Sequence, residues 1–304
     1  MKKRYKLLIA FLLFLGIGIY VIFNNVAPYA IIKPPRVTIT KTPKDLNLDF
    51  EEIKVKTQDS LTLNGYWIKS QHQQPKGILI LLHGIGGCKE HFLELSETLA
   101  ISGIESILFD GRAHGKSEGE FCTYGFYEKN DVSKIVDLIK TKAPNLKIGI
   151  WGNSLGGAIA LQTLENDKRI AFGVIESTFT ELDQIVFQYK KNLLKGFGIK
   201  FLSDFSLKKA GEIANFNPDK VKPIQAVKNI SQPVLIAHGS DDRNIPIVFG
   251  KQLFKNLASK DKKFINVKDG GHHNLFEKGG ITYKKELLNF INRNLNSAKQ
   301  NSIK

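Results

Sequence analysis

From about residue 46 onward, short continuous apolar runs alternate with longer segments whose apolar residues recur every three or four positions. The short runs are typical of strands buried on both faces, and the periodic segments are typical of amphipathic helices. The first two runs flank the turn Gln58-Asp59-Ser60 and predict a β-hairpin. Strands alternating with helices predict an α/β fold with a mostly parallel sheet, here of about eight strands, flanked by helices. The predicted strands are 52–57, 61–68, 77–83, 104–110, 147–151, 172–176, 234–238 and 263–267, and the predicted helices are 89–102, 127–142, 155–165, 248–259 and 282–294.

The N-terminus carries a different pattern. MKKRYK places four positive charges before residues 7–23, which contain no charge. Such a run is just long enough to span a bilayer as a helix. The positive cluster before it predicts that the N-terminus stays cytoplasmic and that the rest is exported. We therefore expect residues 1–25 to be a signal anchor, an uncleaved single transmembrane helix.

A cleaved signal peptide, which would release a secreted domain, is the alternative. A cleavage site needs small residues at its −3 and −1 positions. Cleavage after Ala27 would place Asn25 at −3, and cleavage after Ala30 would place Pro28 there. Both sites are poor and the apolar run is long for a signal peptide, so the pattern favours the anchor.

The remaining chain divides into a stalk and one domain. We expect residues 26–45 to be a stiff stalk, because residues 33–44 are polar and hold three prolines. Residues 46–298 then form the domain. Residues 178–228 interrupt the alternation of strands and helices and predict either a small lid or an ordinary connection between two strands.

Composition and charge restrict the partners. The apolar content of 42% is ordinary for a globular chain and excludes a disordered one. The 304 residues carry 44 Lys+Arg against 29 Asp+Glu, a formal net charge of +15. Only six of the basic residues are Arg, the residue that nucleic-acid readers favour for bidentate contacts. Because the surplus is spread Lys with no dense basic block beyond the N-terminus, we expect no nucleic-acid partner.

One segment carries the signature of a nucleophile. Gly152-Asn153-Ser154-Leu155-Gly156 lies between a predicted strand and a predicted helix, the context of a G-x-S-x-G nucleophile elbow. The serine of such a turn has a strained backbone, and side chains at the two glycine positions would collide with the neighbouring strand or helix. The turn lifts the Ser154 hydroxyl out of the sheet, where the helix N-terminus favours developing negative charge.

A serine nucleophile needs a histidine base and a carboxylate that orients it. Sites in such sheets lie beyond the carboxyl ends of the strands, and in this strand order the carboxylate precedes the histidine. Asp241 and Asp242 follow the strand at 234–238, and His272 and His273 follow the strand at 263–267. We choose Asp242 and His272, which leaves Asp241 to cap the turn and His273 to lie beside the site.

The oxyanion of the reaction needs two backbone N–H groups. One is expected from Leu155, the residue after the nucleophile. The other is expected from Ile85, because the loop 83–87 follows a central strand and its glycines let the backbone turn toward the substrate.

Taken together, the motifs resemble the α/β-hydrolases of the serine-hydrolase type over residues from about 51 to 295. In that family a D-x-x-[VI]-P spacing marks the acid, which corresponds to Asp242 here, and the family's histidine position corresponds to His272. The loop 109–119 departs from the family's D-x-R-G-x-G-x-S pattern by carrying Ala113-His114. The matching stretches are HGIGG at 83–87, FDGRAHGKSEG at 109–119, GNSLGG at 152–157, HGSDDRNIP at 238–246 and GGHHN at 270–274.

The resemblance implies a catalytic triad of Ser154, Asp242 and His272, with Ile85 and Leu155 as oxyanion donors. Within that family, the chain resembles the membrane-anchored or exported members that have a minimal lid. The implied activity is hydrolysis of an ester or thioester of a lipid-like or small acyl substrate. A serine peptidase on the same scaffold and a non-catalytic membrane-tethered binding protein stay open as alternatives.

The chain has two cysteines, Cys88 and Cys122, both in loops next to the site. In an exported domain they could form one disulfide, and in the cytosol they would remain free thiols. Two cysteines without matched histidine spacing do not predict a zinc site. We expect neither a metal nor another cofactor.

Overall fold

A single sheet of eight strands organises residues 2–296, which are the residues that the computed structural model describes. The predicted anchor begins at residue 1 and the predicted domain ends at residue 298, and both ends lie outside the described residues. The strands follow the order β1-β2-β4-β3-β5-β6-β7-β8. They are β1 Phe50–Lys56, β2 Thr62–Ile68, β3 Ile78–Leu82, β4 Glu105–Phe109, β5 Ile148–Asn153, β6 Ile170–Glu176, β7 Val234–Gly239 and β8 Lys262–Val267.

The sheet is mostly parallel, as the apolar pattern predicts. β1 and β2 form the predicted antiparallel hairpin, β2 pairs antiparallel with β4, and the strands from β3 to β8 are parallel. Every residue of β3, β4 and β7 is buried, because helices cover both faces. The strand order reverses between β3 and β5, and the crevice at such a reversal is where ligands bind in open α/β sheets.

Helices cover the sheet in two layers. One layer, with α3 and α10, packs on Trp151 and Phe172, and the other, with α4, α5 and α9, packs on Ile80 and Ile150. The helices of the domain are α3 Leu93–Ile101, α4 Glu128–Lys142, α5 Leu155–Asn166, α6 Leu182–Leu193, α7 Lys200–Ile213, α8 Pro223–Ala226, α9 Ile247–Asn256 and α10 Leu275–Asn296.

The chain begins with a long apolar helix. It consists of α1 (Lys2–Val21), a π-helical turn (Ile22–Val26) and α2 (Ala27–Ile32). Residues 3–32 are long and apolar enough to cross a membrane, and the most apolar stretch is not buried against any part of the described protein. This helix is therefore a candidate membrane span.

Part of the predicted stalk, residues 26–45, packs on the domain. Ile31 and Ile32 are buried, and α2 packs against α7. The Tyr124 hydroxyl donates to the Ile31 carbonyl at 2.6 Å, and the Cys122 amide donates to the Ile32 carbonyl at 2.8 Å. The prolines indicate a stiff segment but carry no information about the surface beneath it, so the packing could not be predicted.

Residues 178–228, which we call the cap, lie between β6 and β7 and contain α6, α7 and α8. The cap reaches the mouth of the site through α6. Tyr189 of α6 lies near Ser154, and the Asn192 side-chain amide donates to the Arg243 carbonyl at 2.8 Å. This placement favours the lid over the ordinary connection.

We predict that Gly156→Ala destabilises the domain severely. A Cβ at Gly156 would lie 2.0 Å from the Leu82 carbonyl oxygen, so β3 and α5 would have to separate. A cost of about 3 kcal/mol for such overpacking would lower the thermal unfolding midpoint by on the order of 10 °C. Gly18→Ala is the matched control, because nothing lies within 4 Å of its added Cβ. Unfolding of Gly156→Ala within about 2 °C of the wild type would contradict the packing argument.

Candidate active site

Ser154 sits at a forced bend between β5 and α5. Its φ of 53° is a backbone conformation that non-glycine residues rarely adopt. The bend is held from both sides, because the Ser154 amide donates to the Glu176 carbonyl at 2.8 Å and Thr178 Oγ1 donates to the Ser154 carbonyl at 2.7 Å. The surrounding structure thus fixes the direction of the serine side chain.

Three of the predicted site residues come together in one hydrogen-bonded chain. His272 Nε2 lies 3.0 Å from Ser154 Oγ, and His272 Nδ1 lies 2.7 Å from Asp242 Oδ2. A carboxylate only accepts, so Nδ1 carries the proton and Nε2 is free to accept the serine proton. The three side chains come from the ends of β5, β7 and β8, which are far apart in sequence.

The surroundings of Asp242 stabilise its ionised form. Its Oδ1 accepts from the amides of Asn244 and Ile245 at 2.9 and 2.8 Å. Burial alone would raise the pKa of Asp242, but hydrogen bonds from His238 and His272 outweigh burial and hold that pKa well below its usual range. An anionic Asp242 keeps the proton on His272 Nδ1.

The neighbouring residues that the sequence offered as alternatives lie elsewhere. Asp241 is exposed and accepts from the Ser240 hydroxyl at 3.0 Å. His273 is exposed and packs its ring edge-on against His272, with centroids 4.6 Å apart. The structure therefore brings Asp242 and His272, rather than Asp241 and His273, to Ser154.

The loop 83–87, which we call the oxyanion loop, lies against the serine. A Cβ on Gly84 would come within 3.3 Å of the Ser154 Cβ, and the Gly87 amide closes a turn on the Gly84 carbonyl at 3.0 Å. Ile85 stands at the tip of this turn and is partly exposed. On the other side, Leu155 is the first residue of α5, so helix geometry gives its N–H no intrahelical acceptor.

A buried ionic cluster supports the oxyanion loop. Lys89 Nζ lies 2.7 Å from Asp110 Oδ2 and 2.9 Å from Glu90 Oε1, and all three side chains are buried. The Lys89 amide also donates to Asp110 Oδ1 at 2.8 Å. Breaking one partner of such a buried cluster leaves an uncompensated charge, so the cluster fixes where the loop returns to the domain.

A cavity of about 540 Å³ lies beside His272, between α3 and α10. Asn153 and His273 also border it, so it adjoins the serine turn. The apolar part of its wall is formed by Phe92, Leu95, Trp151, Leu275, Phe276, Leu287 and Leu288.

Glu176, whose role the sequence does not decide, belongs to the framework of the site. Its carboxylate accepts from Trp151 Nε1 at 3.0 Å and from the Tyr283 hydroxyl. Burial raises the pKa of Glu176, and the two hydrogen bonds oppose that rise. The carboxylate of Glu176 therefore links β6 to β5 and to α10 next to His272.

Cys88 and Cys122 are free and buried, so the disulfide that export would allow is not formed. The Cys88 side chain accepts from the His91 amide, and Cys122 packs in the apolar core with Ile32 and Ile159. Burial raises the pKa of Cys88 to about 11 and raises that of Cys122 as well. High pKa values disfavour the reactive thiolate.

Two site residues were not anticipated from the sequence. Tyr189, which lies near Ser154, belongs to the cap, where no motif marks it. His238 precedes a glycine at the end of β7, and this H-G pair is its only sequence signal. Its Nε2 donates to the Ile245 carbonyl at 2.7 Å and lies 3.5 Å from Asp242 Oδ2. Its proximity to the acid depends on how the loop after β7 folds back.

Comparison with known proteins identifies hydrolases that are similar to this chain. Residues 73–222 match the family described as serine aminopeptidase, S33 (Hydrolase_4), a range that includes Ser154 but ends before Asp242 and His272. The protein YqkD of Bacillus subtilis (strain 168) is 27% identical over 97% of this chain and 99% of its own length. The lysophosphatidylserine lipase ABHD12 of Danio rerio is 30% identical, over 64% of this chain and 51% of its own length.

Among solved structures, the esterase Pf2001 of Pyrococcus furiosus superimposes with a TM-score of 0.73 and 25% identity. The match covers 87% of this chain and 98% of the esterase. The relatives and the superposition confirm the fold that the sequence motifs predict.

Proposed function

The chain belongs to the α/β-hydrolase family, and we propose that it is a serine hydrolase that cleaves an ester or thioester through an acyl-enzyme. The observation that carries the proposal is the chain of hydrogen bonds from Ser154 through His272 to Asp242, with separations of 3.0 and 2.7 Å. Nucleophile, base and orienting carboxylate in this geometry perform acyl transfer on several unrelated folds.

In the first half-reaction, Ser154 Oγ attacks the substrate carbonyl carbon while His272 Nε2 takes the hydroxyl proton. The carbonyl electrons move onto oxygen, and the amides of Ile85 and Leu155 stabilise that oxyanion. When the tetrahedral intermediate collapses, the bond to the leaving alcohol or thiol breaks. The leaving group takes the proton from His272, and the acyl group remains on Ser154.

Water completes the reaction by the same route. His272 Nε2 takes a proton from water as the water oxygen bonds to the acyl carbon, which again places an oxyanion before Ile85 and Leu155. The intermediate releases the carboxylic acid, and His272 returns its proton to Ser154 Oγ. Asp242 stays ionised throughout and stabilises each imidazolium.

A lipid-like acyl substrate fits the surroundings of the site. The cavity of about 540 Å³ beside His272 has the size of an ordinary ligand pocket, and its wall combines aromatic and aliphatic side chains with polar ones such as Glu94 and Lys284. Similar proteins include an esterase and a lipase of lysophosphatidylserine. We infer that an acyl chain lies between α3 and α10.

The peptidase alternative is favoured by one observation, the match of residues 73–222 to the serine aminopeptidase family. The same residues would attack an amide, with the amine as the leaving group. The triad alone does not distinguish the two bonds, so a peptide substrate must be assayed beside the esters.

We further propose that the N-terminal helix anchors the protein in a membrane, with the domain on the exported side. Cleavage after Ala30 would place a new ammonium group on Ile31, whose side chain is buried. A protein that keeps the helix avoids the free-energy cost of placing this charge at a buried residue, whereas a secreted, cleaved form does not. The free thiols are compatible with export, because buried cysteines of high pKa are inert.

We predict that Ser154→Ala abolishes both labelling by a fluorophosphonate probe and hydrolysis of p-nitrophenyl esters, lowering kcat by on the order of 10⁴-fold or more. Asp242→Asn, which favours the wrong tautomer of His272, should lower kcat by about 10⁴-fold. The matched control is Asp241→Asn, which should retain wild-type kcat because Asp241 does not contact His272.

Absence of labelling in the wild type would overturn the hydrolase proposal and leave the membrane-tethered binding protein. Turnover of aminoacyl p-nitroanilides faster than that of every ester tested would replace the esterase with the peptidase.

We predict that Leu95→Trp shortens the acyl chain that the enzyme accepts. Leu95 lines the cavity, and the larger indole would fill part of it. The ratio of kcat/KM for a p-nitrophenyl dodecanoate to that for the butyrate should fall by about tenfold, a loss equivalent to burying roughly two methylene groups fewer. An unchanged ratio in a folded variant would place the acyl chain elsewhere.

We predict that protease added to intact spheroplasts of a bacterial expression host digests the domain. The four positive charges before the apolar helix should hold the N-terminus in the cytoplasm. A cytoplasmic marker protein should stay intact in the same preparation. Protection of the domain until the membrane is lysed would contradict the exported orientation.

A further inference from the structure

The segment that follows the apolar helix runs past the oxyanion loop and the turn at residues 114–119. Within it, Arg36 directs its guanidinium at four carbonyl oxygens of one turn. Nη1 donates to Ser117 at 2.6 Å, to Gly115 at 3.0 Å and to His114 at 3.3 Å, and Nη2 donates to Gly119 at 2.6 Å. A planar fork of fixed donors can satisfy such a set, which a single ammonium group cannot do to the same extent.

The turn that Arg36 binds is joined to both ends of the oxyanion loop. At the start of the loop, His83 Nε2 accepts from the Gly111 amide at 3.0 Å, and the His83 and His114 rings are in edge contact. Past the end of the loop, the Lys89 amide and ammonium both donate to the carboxylate of Asp110. The position of residues 110–119 therefore determines where the oxyanion loop begins and where it returns.

Pro35 contacts the oxyanion loop directly. A Cβ at Gly86 would lie 3.2 Å from Pro35 Cγ, so the proline ring packs on the outer side of the turn. Gly86 has a φ of 68° and immediately follows Ile85. Three glycines in five residues give the loop little stiffness of its own, so it depends on such outside contacts.

Residues 31–36, which we call the strap, are themselves fixed to the domain. Ile31 and Ile32 are buried, and their carbonyls accept from the Tyr124 hydroxyl and the Cys122 amide. Pro34 is buried as well. The strap is thus held at its first residues by the core and at its last residue by Arg36.

We propose that the strap holds the oxyanion loop in the geometry that the Ile85 amide needs, and that Arg36 is a positioning residue for the reaction. The second part rests on the proposed hydrolase function. Oxyanion stabilisation depends on donors that are already aimed when charge develops, and misplacement by about 1 Å costs up to 100-fold in rate. A loop that loses its outer support should therefore bind substrate nearly as before but stabilise the transition state less.

The test compares Arg36→Ala with Arg293→Ala in the full chain, purified in detergent. Both arginines hydrogen bond at the surface, and Arg293 binds Asp261 rather than the site. For Arg36→Ala we expect kcat on a p-nitrophenyl ester to fall by about tenfold with KM changed less than about twofold. Arg36→Lys should recover part of the loss, and Arg293→Ala should match the wild type.

Hydrogen–deuterium exchange of residues 83–91 tests the strap without substrate. We expect faster exchange there in Arg36→Ala and unchanged exchange in Arg293→Ala. Unchanged exchange in Arg36→Ala, or an unchanged kcat in an active enzyme, would overturn the inference. Because exchange needs no turnover, a wild type that hydrolyses no ester would overturn the proposed function while exchange still decides whether the strap holds the loop.

Discussion

The structure depends on the backbone of one residue, Ser154. The chain must leave β5 and enter α5 within that residue, so its φ is 53°. A side chain at Gly152 would collide with the backbone of α5 at Gly156, and a side chain at Gly156 would collide with the end of β3 at Leu82. Such strain persists only where the surroundings over-determine it. In return, the hydroxyl stands 3.0 Å from His272 Nε2 at the reversal of the strand order, where the loops after β3, β7 and β8 converge.

The groups around Ser154 differ in how they are made rigid. The acid is held by backbone amides, because Asn244 and Ile245 both donate to Asp242. The oxyanion loop closes its own turn through the Gly87 amide, and it is supported further by its neighbours, the Lys89–Asp110 pair within the domain and the strap outside it. The candidate membrane helix continues into this strap, so anchor and site are parts of one connected structure in this account.

Sequence patterns predicted most of the fold because the strands are buried on both faces and therefore read as continuous apolar runs. The predicted strand at 234–238 and the observed β7, Val234–Gly239, illustrate the agreement. The position of the candidate site could also be predicted from the sequence, because the G-x-S-x-G turn requires its glycines for local steric reasons. The strap could not be predicted, because Arg36 binds the carbonyls of a turn about eighty residues away. The residue types of a sequence do not show which backbone carbonyls accept such hydrogen bonds. Tyr189 was missed for a similar reason, since its position depends on how the cap folds over the mouth.

Direct detection of the covalent intermediate would test the central claim. A long-chain p-nitrophenyl ester would be mixed with excess enzyme, quenched within milliseconds and analysed by peptide mass spectrometry. We predict one acyl adduct on the peptide containing Ser154, formed together with a stoichiometric burst of p-nitrophenol and lost as the acid is released. Turnover without an adduct, or with the acyl group on another residue, would contradict the assignment of Ser154 as the nucleophile.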